Sequence, residues 1–222
     1  MSQRSSDLAY LMGSSRFLIA NLKNSNGHCG ERQSQASPRP SSQKRLKLSS
    51  VRYVVFDLET TGLSPVSDAI LEIGALKIED GVITGSVFER FVNPGFPIPY
   101  YITRINGIRD QMVADAPTIG RVLPEFLEWI DGAPLVAHNA AFDMGFIHAN
   151  SRRLKLTPPA DATCTVQLSK RLFPSERRHN LDAVCERLQL TVGTRHRALA
   201  DVELTAQAFL RFQAMLERTQ HA

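Results

Sequence analysis

"VVFDLETTG", Val54–Gly62, begins with three apolar residues suited to a buried strand and then places two carboxylates, Asp57 and Glu59, where more valine would be expected. Side chains alternate along a strand, so Asp57 and Glu59 point to the same face while Leu58 points away. Two like charges this close raise one another's pKa unless a cation sits between them. The sequence supplies no obvious one: Arg52 comes too early, Lys77 lies in another predicted strand, and Thr60-Thr61-Gly62 turns the chain without adding charge. Taken alone, the pair also fits a solvated strand end beside a turn cap. The phosphotransferase pattern D-x-D-x-T fits less well, because the second acid is Glu and no downstream lysine followed by an Asp pair is present.

Working outward, Val51–Leu58 reads as a strand, and Ile70–Glu79, Asp80-Gly81 and Ile83–Val92 read as a hairpin with Asp-Gly at its turn. "YITRINGI" predicts a short helix. Pro117–Asp131 predicts a longer one, with Ile119, Val122, Leu123, Phe126, Leu127 and Ile130 at helical spacing and Gly132 and Pro134 closing it. "APLVAHN" is a fourth strand, "AAFDMGFIHANSRR" a helix and "DATCT" a short fifth strand. "VQLSKRLF", "NLDAVCERLQL" and Ala198–Glu217 complete the chain as helices. A meander followed by strand–helix alternation gives an α/β protein with a mixed five-stranded sheet flanked by helices.

The bulk numbers restrict the partners. The 222-residue chain carries a formal charge of +4, but residues 1–50 hold eight Lys/Arg against two acids, which leaves −2 for residues 51–222. The folded part therefore has no overall basic bias, and any affinity for nucleic acid must come from a site. Cys29, Cys164 and Cys185 are odd in number and lack C-x-x-C spacing, which suggests neither a disulfide framework nor a zinc site and points to a reducing cytoplasm. No apolar run approaches the roughly 18 residues that span a bilayer, so no membrane partner is expected. Residues 1–50 read as a flexible, basic, Ser-rich tail with too little apolar surface to offset its ordering entropy; its Arg/Ser-rich, acid-poor composition also fits an organellar transit peptide.

Two further segments carry acids. "HNAAFDMGFI", His138–Ile147, follows the fourth strand, where open α/β sheets place ligand-binding groups, and puts Asp143 in the first turns of a helix that Asn139 could cap. "RHRALADVELT", Arg195–Thr205, brings His196 toward the last helix and sets Asp201 beside core-facing Ala198, Leu199, Val202 and Phe209, a stripe that a solvated acid avoids. Each acid alone has an ordinary reading, such as a charge near a helix N-terminus. A compact mixed sheet nevertheless brings all three segments together, and four carboxylates in one cleft need neutralising. Oxygen ligands without cysteine select hard cations, Mg²⁺ or Mn²⁺, and four acids suffice for two ions roughly 4 Å apart.

The segments "FDLETTG", "HNAAFD" and "HRALADVE" resemble the three motifs of the DEDD exonuclease superfamily, in its DEDDh branch, which includes the proofreading epsilon subunit of bacterial DNA polymerase III. The likeness spans about residues 51–215. It implies a ribonuclease H-like fold, with residues 51–222 as an exonuclease domain. It implies that Asp57, Glu59, Asp143 and Asp201 hold two divalent cations, Mg²⁺ or Mn²⁺, and that His196 joins them in catalysis. His138, His148 and His179 are its rivals for the proton-transfer role. Thr60 and Leu63 match positions that contact the terminal nucleotide, and "TRINGI" resembles T-x-x-H-G-I with Asn106 in place of the histidine. Asn139 and Phe142 complete the expected substrate contacts. The implied activity is metal-dependent 3′-to-5′ hydrolysis of single-stranded or frayed DNA ends to 5′-mononucleotides, in proofreading or repair. The implied partners are nucleic acid with a free 3′ end, DNA ahead of RNA, and a DNA polymerase. Trimming of RNA ends, or an accessory proofreading subunit, remain open alternatives, because the same five residues serve either sugar.

Overall fold

A computed structural model describes residues 52–191 and 197–220. Strands β1 (Arg52–Thr60), β2 (Ile70–Glu79) and β3 (Val82–Phe91) form an antiparallel meander, and β4 (Leu135–Ala137) and β5 (Thr163–Cys164) add to the far side of β1 in parallel, giving the order β3-β2-β1-β4-β5. The β2–β3 turn has Asp80 at φ 50° and Gly81 at φ 78°, the two left-handed positions of the primed hairpin turns that match strand twist. The expected tail, residues 1–50, lies outside the described residues.

Because β1 is central, both its faces are covered, which is why Val54, Val55 and Phe56 are all fully buried. On one face Val54, Phe56 and Leu58 pack with Val122 and Phe126 of α3 (Ile119–Ile130) and with Phe146 and Ile147 of α4 (Ala140–Arg153). On the other, Val55, Leu76 and Val136 meet Val202, Ala206 and Phe209 of α7 (Ala198–Gln220). Helices α5 (Thr165–Leu172) and α6 (Leu181–Arg187) brace the outer side of α7, with Leu168 and Val184 against Ala208 and Phe212. Helices α1 (Tyr100–Asn106) and α2 (Asp110–Val113) cover Leu71 with Ile102 and Val113.

The differences from expectation cluster near strand ends. β1 runs through Glu59 to Thr60 rather than stopping at Leu58, with an irregularity in the β1–β2 register between Glu59 and Thr60; such bulges bend a strand and re-aim its side chains. β4 holds three residues rather than seven, since Pro134 contributes only its carbonyl, to the Val54 N–H, and His138-Asn139 already turns toward α4. α2 was not anticipated, because four residues are too few to show a helical period. α7 extends to Gln220.

One glycine governs how α7 meets the sheet. A Cβ on Gly74 of β2 would lie 2.6 Å from the Leu199 nitrogen and 2.7 Å from the Ala198 carbonyl carbon. The first turn of α7 therefore rests on bare backbone, and Gly74 is the residue paired with Asp57.

Candidate active site

β1 and β4 run parallel, so their C-terminal ends share one edge of the sheet, and the chain leaves β4 there to start α4. Asn139 makes that turn in the left-handed conformation, φ 61° and ψ 45°, which Asn tolerates better than most residues. It occupies the N-cap position without a side-chain capping bond and stays exposed, contrary to the capping role expected of it. Asp143, in the first turn of α4, is 2 % exposed, and its Oδ1 accepts the Leu58 backbone N–H at 3.2 Å. The β1–β4 ladder ends at Val55–Val136, so a carboxylate from α4 takes a strand donor beyond the end of β4.

From the other face α7 delivers Asp201, 8 % exposed. One carboxylate oxygen each from Asp57, Glu59 and Asp201 lie within 4.8 Å of one another. Asp143 falls outside that trio but is held against the intervening Leu58. Three of the four expected acids thus converge, and the fourth, Asp143, is anchored to the same strand through the Leu58 N–H.

Burial, reinforced by the charges of Asp201 and Glu72, pushes Glu59 up from 4.5 to about 7, against a hydrogen bond from Asn106 and the charge of Arg197 that pull it down. Burial, with Glu59 adding to it, likewise pushes Asp143 up. The donor set is all oxygen and converging, which fits a hard divalent cation.

Asn106 is buried at the end of α1, its side-chain oxygen accepting the Ile108 N–H while the side chain also bonds Glu59. Thr60 is buried, and its hydroxyl donates to the Gly62 carbonyl. Leu63, at 83 % exposure, projects from the loop after β1. Phe142 is half-buried and packs at 5.2 Å against Phe146. His196 lies outside the described residues. Its rivals are tied into the fold: His138 Nδ1 bonds the Thr165 hydroxyl, half-buried His148 bonds the Pro159 carbonyl rather than standing in solvent, and His179 bonds the Ser169 hydroxyl and the Glu176 carbonyl.

The expectation that no cation serves the acids is corrected by Arg197. Its guanidinium forks onto Glu72, with Nη2 to Oε1 at 2.8 Å and Nε to Oε2 at 3.1 Å, and its charge reaches Glu59. The missed signal was Glu72 itself, the lone acid within "ILEIGALKI", a run buried on both faces.

The exonuclease family model, RNase_T, matches residues 54–209. The chain belongs to the exonuclease family. The DNA polymerase III PolC-type of Caldanaerobacter subterraneus subsp. tengcongensis is 45 % identical over 168 residues, covering 76 % of this chain. The chain spans only 12 % of that relative's length. Among solved structures, exonuclease X in complex with 5′ overhanging duplex DNA shares 29 % identity with a TM-score of 0.58, over 73 % of this chain and 92 % of that one. The nuclease domain of 3′hExo, a DEDDh family member bound to rAMP, shares the fold at 18 % identity and a TM-score of 0.64, over 75 % of this chain and 94 % of that one. This is therefore an exonuclease domain, a hydrolase, with a ribonuclease H-like mixed sheet flanked by helices. No helix among the described residues is long and apolar enough to cross a membrane.

Proposed function

We propose that this exonuclease removes 5′-mononucleotides from the 3′ ends of single-stranded or frayed DNA, using two Mg²⁺ or Mn²⁺ ions held by Asp57, Glu59, Asp143 and Asp201. The observation that carries the reading is the convergence of Asp57, Glu59 and Asp201 oxygens within 4.8 Å, with Asp143 anchored to the same strand end. Divalent cations bound there supply Lewis-acid activation of water and stabilise charge on the departing oxygen.

The chain's own groups do the rest. The carboxylates bind and orient, Asp143 and Asp201 from buried positions and Asp57 and Glu59 from half-buried ones. His196, one residue before the clamped Arg197, accepts a proton from the attacking water. Leu63 and Ile105, both exposed on segments that flank Glu59, form apolar walls for the terminal nucleotide, while Thr60 and Asn106 hold the shape of the pocket from behind. Asn139 and Phe142, at the start of α4, line the approach. DNA is favoured because the PolC-type relative is a DNA polymerase and the exonuclease X structure contains duplex DNA. A DNA polymerase is the partner that this kinship suggests, with proofreading or repair as the setting.

The test is digestion of 3′-labelled and 5′-labelled single-stranded DNA and RNA oligonucleotides with Mg²⁺, with Mn²⁺ and with chelator. Release of labelled mononucleotide from the 3′ end of DNA, abolished by chelator, is the expected result. Shortening from the 5′ end, or RNA degraded faster than DNA, would overturn the reading.

A further inference from the structure

Glu72 is 0 % exposed and stands directly opposite Glu59 in the β1–β2 ladder. Residues in that relation share a face and lie within about 5 Å at Cβ, so two acids would repel if nothing lay between them. Among the described residues, Arg197 is the cation paired with Glu72. Besides its fork onto Glu72, its guanidinium sits 3.6 Å from Glu89 and 5.1 Å from the Phe91 ring centre. Glu72 Oε2 also accepts the Ala198 N–H at 3.3 Å, the first residue of the helix that carries Asp201.

The arrangement has a chemical hazard built into it. A guanidinium matches a carboxylate better than any other side chain does, through two parallel N–H···O bonds. Arg197 is close enough to Glu59 for each to feel the other's charge. Were its fork released, it would pair with Glu59 and compete with any cation bound there.

We propose that Glu72 is a positioning residue that holds the Arg197 fork away from Glu59, leaving the Asp57–Glu59–Asp201 cluster open to a divalent cation while pinning the start of α7. The proposal rests on the reading of those carboxylates as cation ligands. It goes beyond that reading in assigning the Glu72–Arg197 pair, which lies outside the Asp57–Glu59–Asp201 trio, control over how tightly a cation is bound.

The experiment is calorimetric titration of Mn²⁺ into the full chain and into Glu72→Gln, Arg197→Gln and the double variant, with thermal melts as folding controls and hydrolysis as a second readout. Glu72→Gln keeps the size of the side chain but weakens its grip, and it should lose about tenfold in Mn²⁺ affinity, the usual scale for groups that orient ligands. Arg197→Gln should melt lower, because it strands a buried acid, yet bind Mn²⁺ at least as tightly as the wild type. The double variant should recover to within about threefold of wild-type affinity. Weakened binding in both single variants, with no recovery in the double, would reduce the pair to a structural pin and overturn the proposal. Should Glu72→Gln not fold, the Arg197→Gln affinity decides alone: weaker binding defeats the idea, equal or tighter binding supports it. A wild type that binds no Mn²⁺ removes the cation reading itself, an outcome distinct from unchanged affinity in Glu72→Gln.

Discussion

Asp143 shows how much one carboxylate is asked to do. It accepts the Leu58 N–H while almost wholly buried, and burial raises its pKa, so ionisation there costs the fold something that a bound cation would return. Asp143→Asn keeps an acceptor oxygen for Leu58 and removes the charge. It should melt no lower than the wild type without metal, yet lose at least about tenfold in Mg²⁺-dependent hydrolysis, a barrier increase of ~1.4 kcal/mol or more. Retained hydrolysis above that mark would take Asp143 out of the chemistry. Glu59 gives the matching pH dependence. Its folded pKa of about 7 lies above the ordinary 4.5, so between those values the folded state holds a proton that the unfolded chain has released. The resulting contribution is fully present below the unfolded value and is lost as pH rises toward 7. Melts in chelator should show this contribution fading with pH, while the rise in Tm on adding Mn²⁺ should grow between about pH 5 and pH 8; a gain that shrinks with pH would contradict it. Asp57 and Glu59 were legible at this scale because alternation fixes their common face. The bond from Asn106 to Glu59 was not, since only the fold turns an amide at a helix end back onto that acid.

At the scale of elements, the site is an agreement between one strand and two helices, and the helix that matters most is placed by what β2 lacks. The hairpin, α3 and α4 were readable from turn chemistry and periodicity. The approach of α7 to Gly74 was not, because a glycine inside a strand pattern marks a close contact without naming its partner. Gly74→Ala places a Cβ within 2.6–2.7 Å of α7 backbone, and backbone cannot swing aside as a flexible side chain would. The helix must move, carrying Asp201 with it. We expect a loss of about 1–3 kcal/mol of stability, typical of overpacking, together with weaker Mn²⁺ binding, whereas a surface substitution on α7 of equal stability cost would leave binding unchanged. Equal Mn²⁺ affinity in Gly74→Ala and wild type would show that the helix start does not set the position of Asp201.

Over the whole molecule the charge is divided in a way that bears on how a polyanion is held. Residues 51–222 carry a formal −2, with the clustered carboxylates among them, while residues 1–50 carry eight Lys/Arg against two acids. The mixed sheet and the three-segment origin of the acids followed from element order, whereas the spatial order β3-β2-β1-β4-β5 did not. The charge division was equally plain in the sequence, but its use was not, since it concerns a ligand. If the folded part grips substrate mainly through cations and a few side chains, its affinity depends weakly on monovalent salt. If residues 1–50 add phosphate contacts, each contributes about −0.7 to the log–log slope for a single strand. Removing residues 1–45, outside the compact unit Leu46–Ala222, should therefore leave the maximal hydrolysis rate within about twofold while raising KM at low salt and flattening the slope of log KM against log salt by about two or more. The comparison needs the same Mg²⁺ concentration throughout, because the divalent ion also competes for phosphate. An unchanged slope would mean that the basic segment makes no phosphate contacts, and substrate affinity would then reside in the cleft alone.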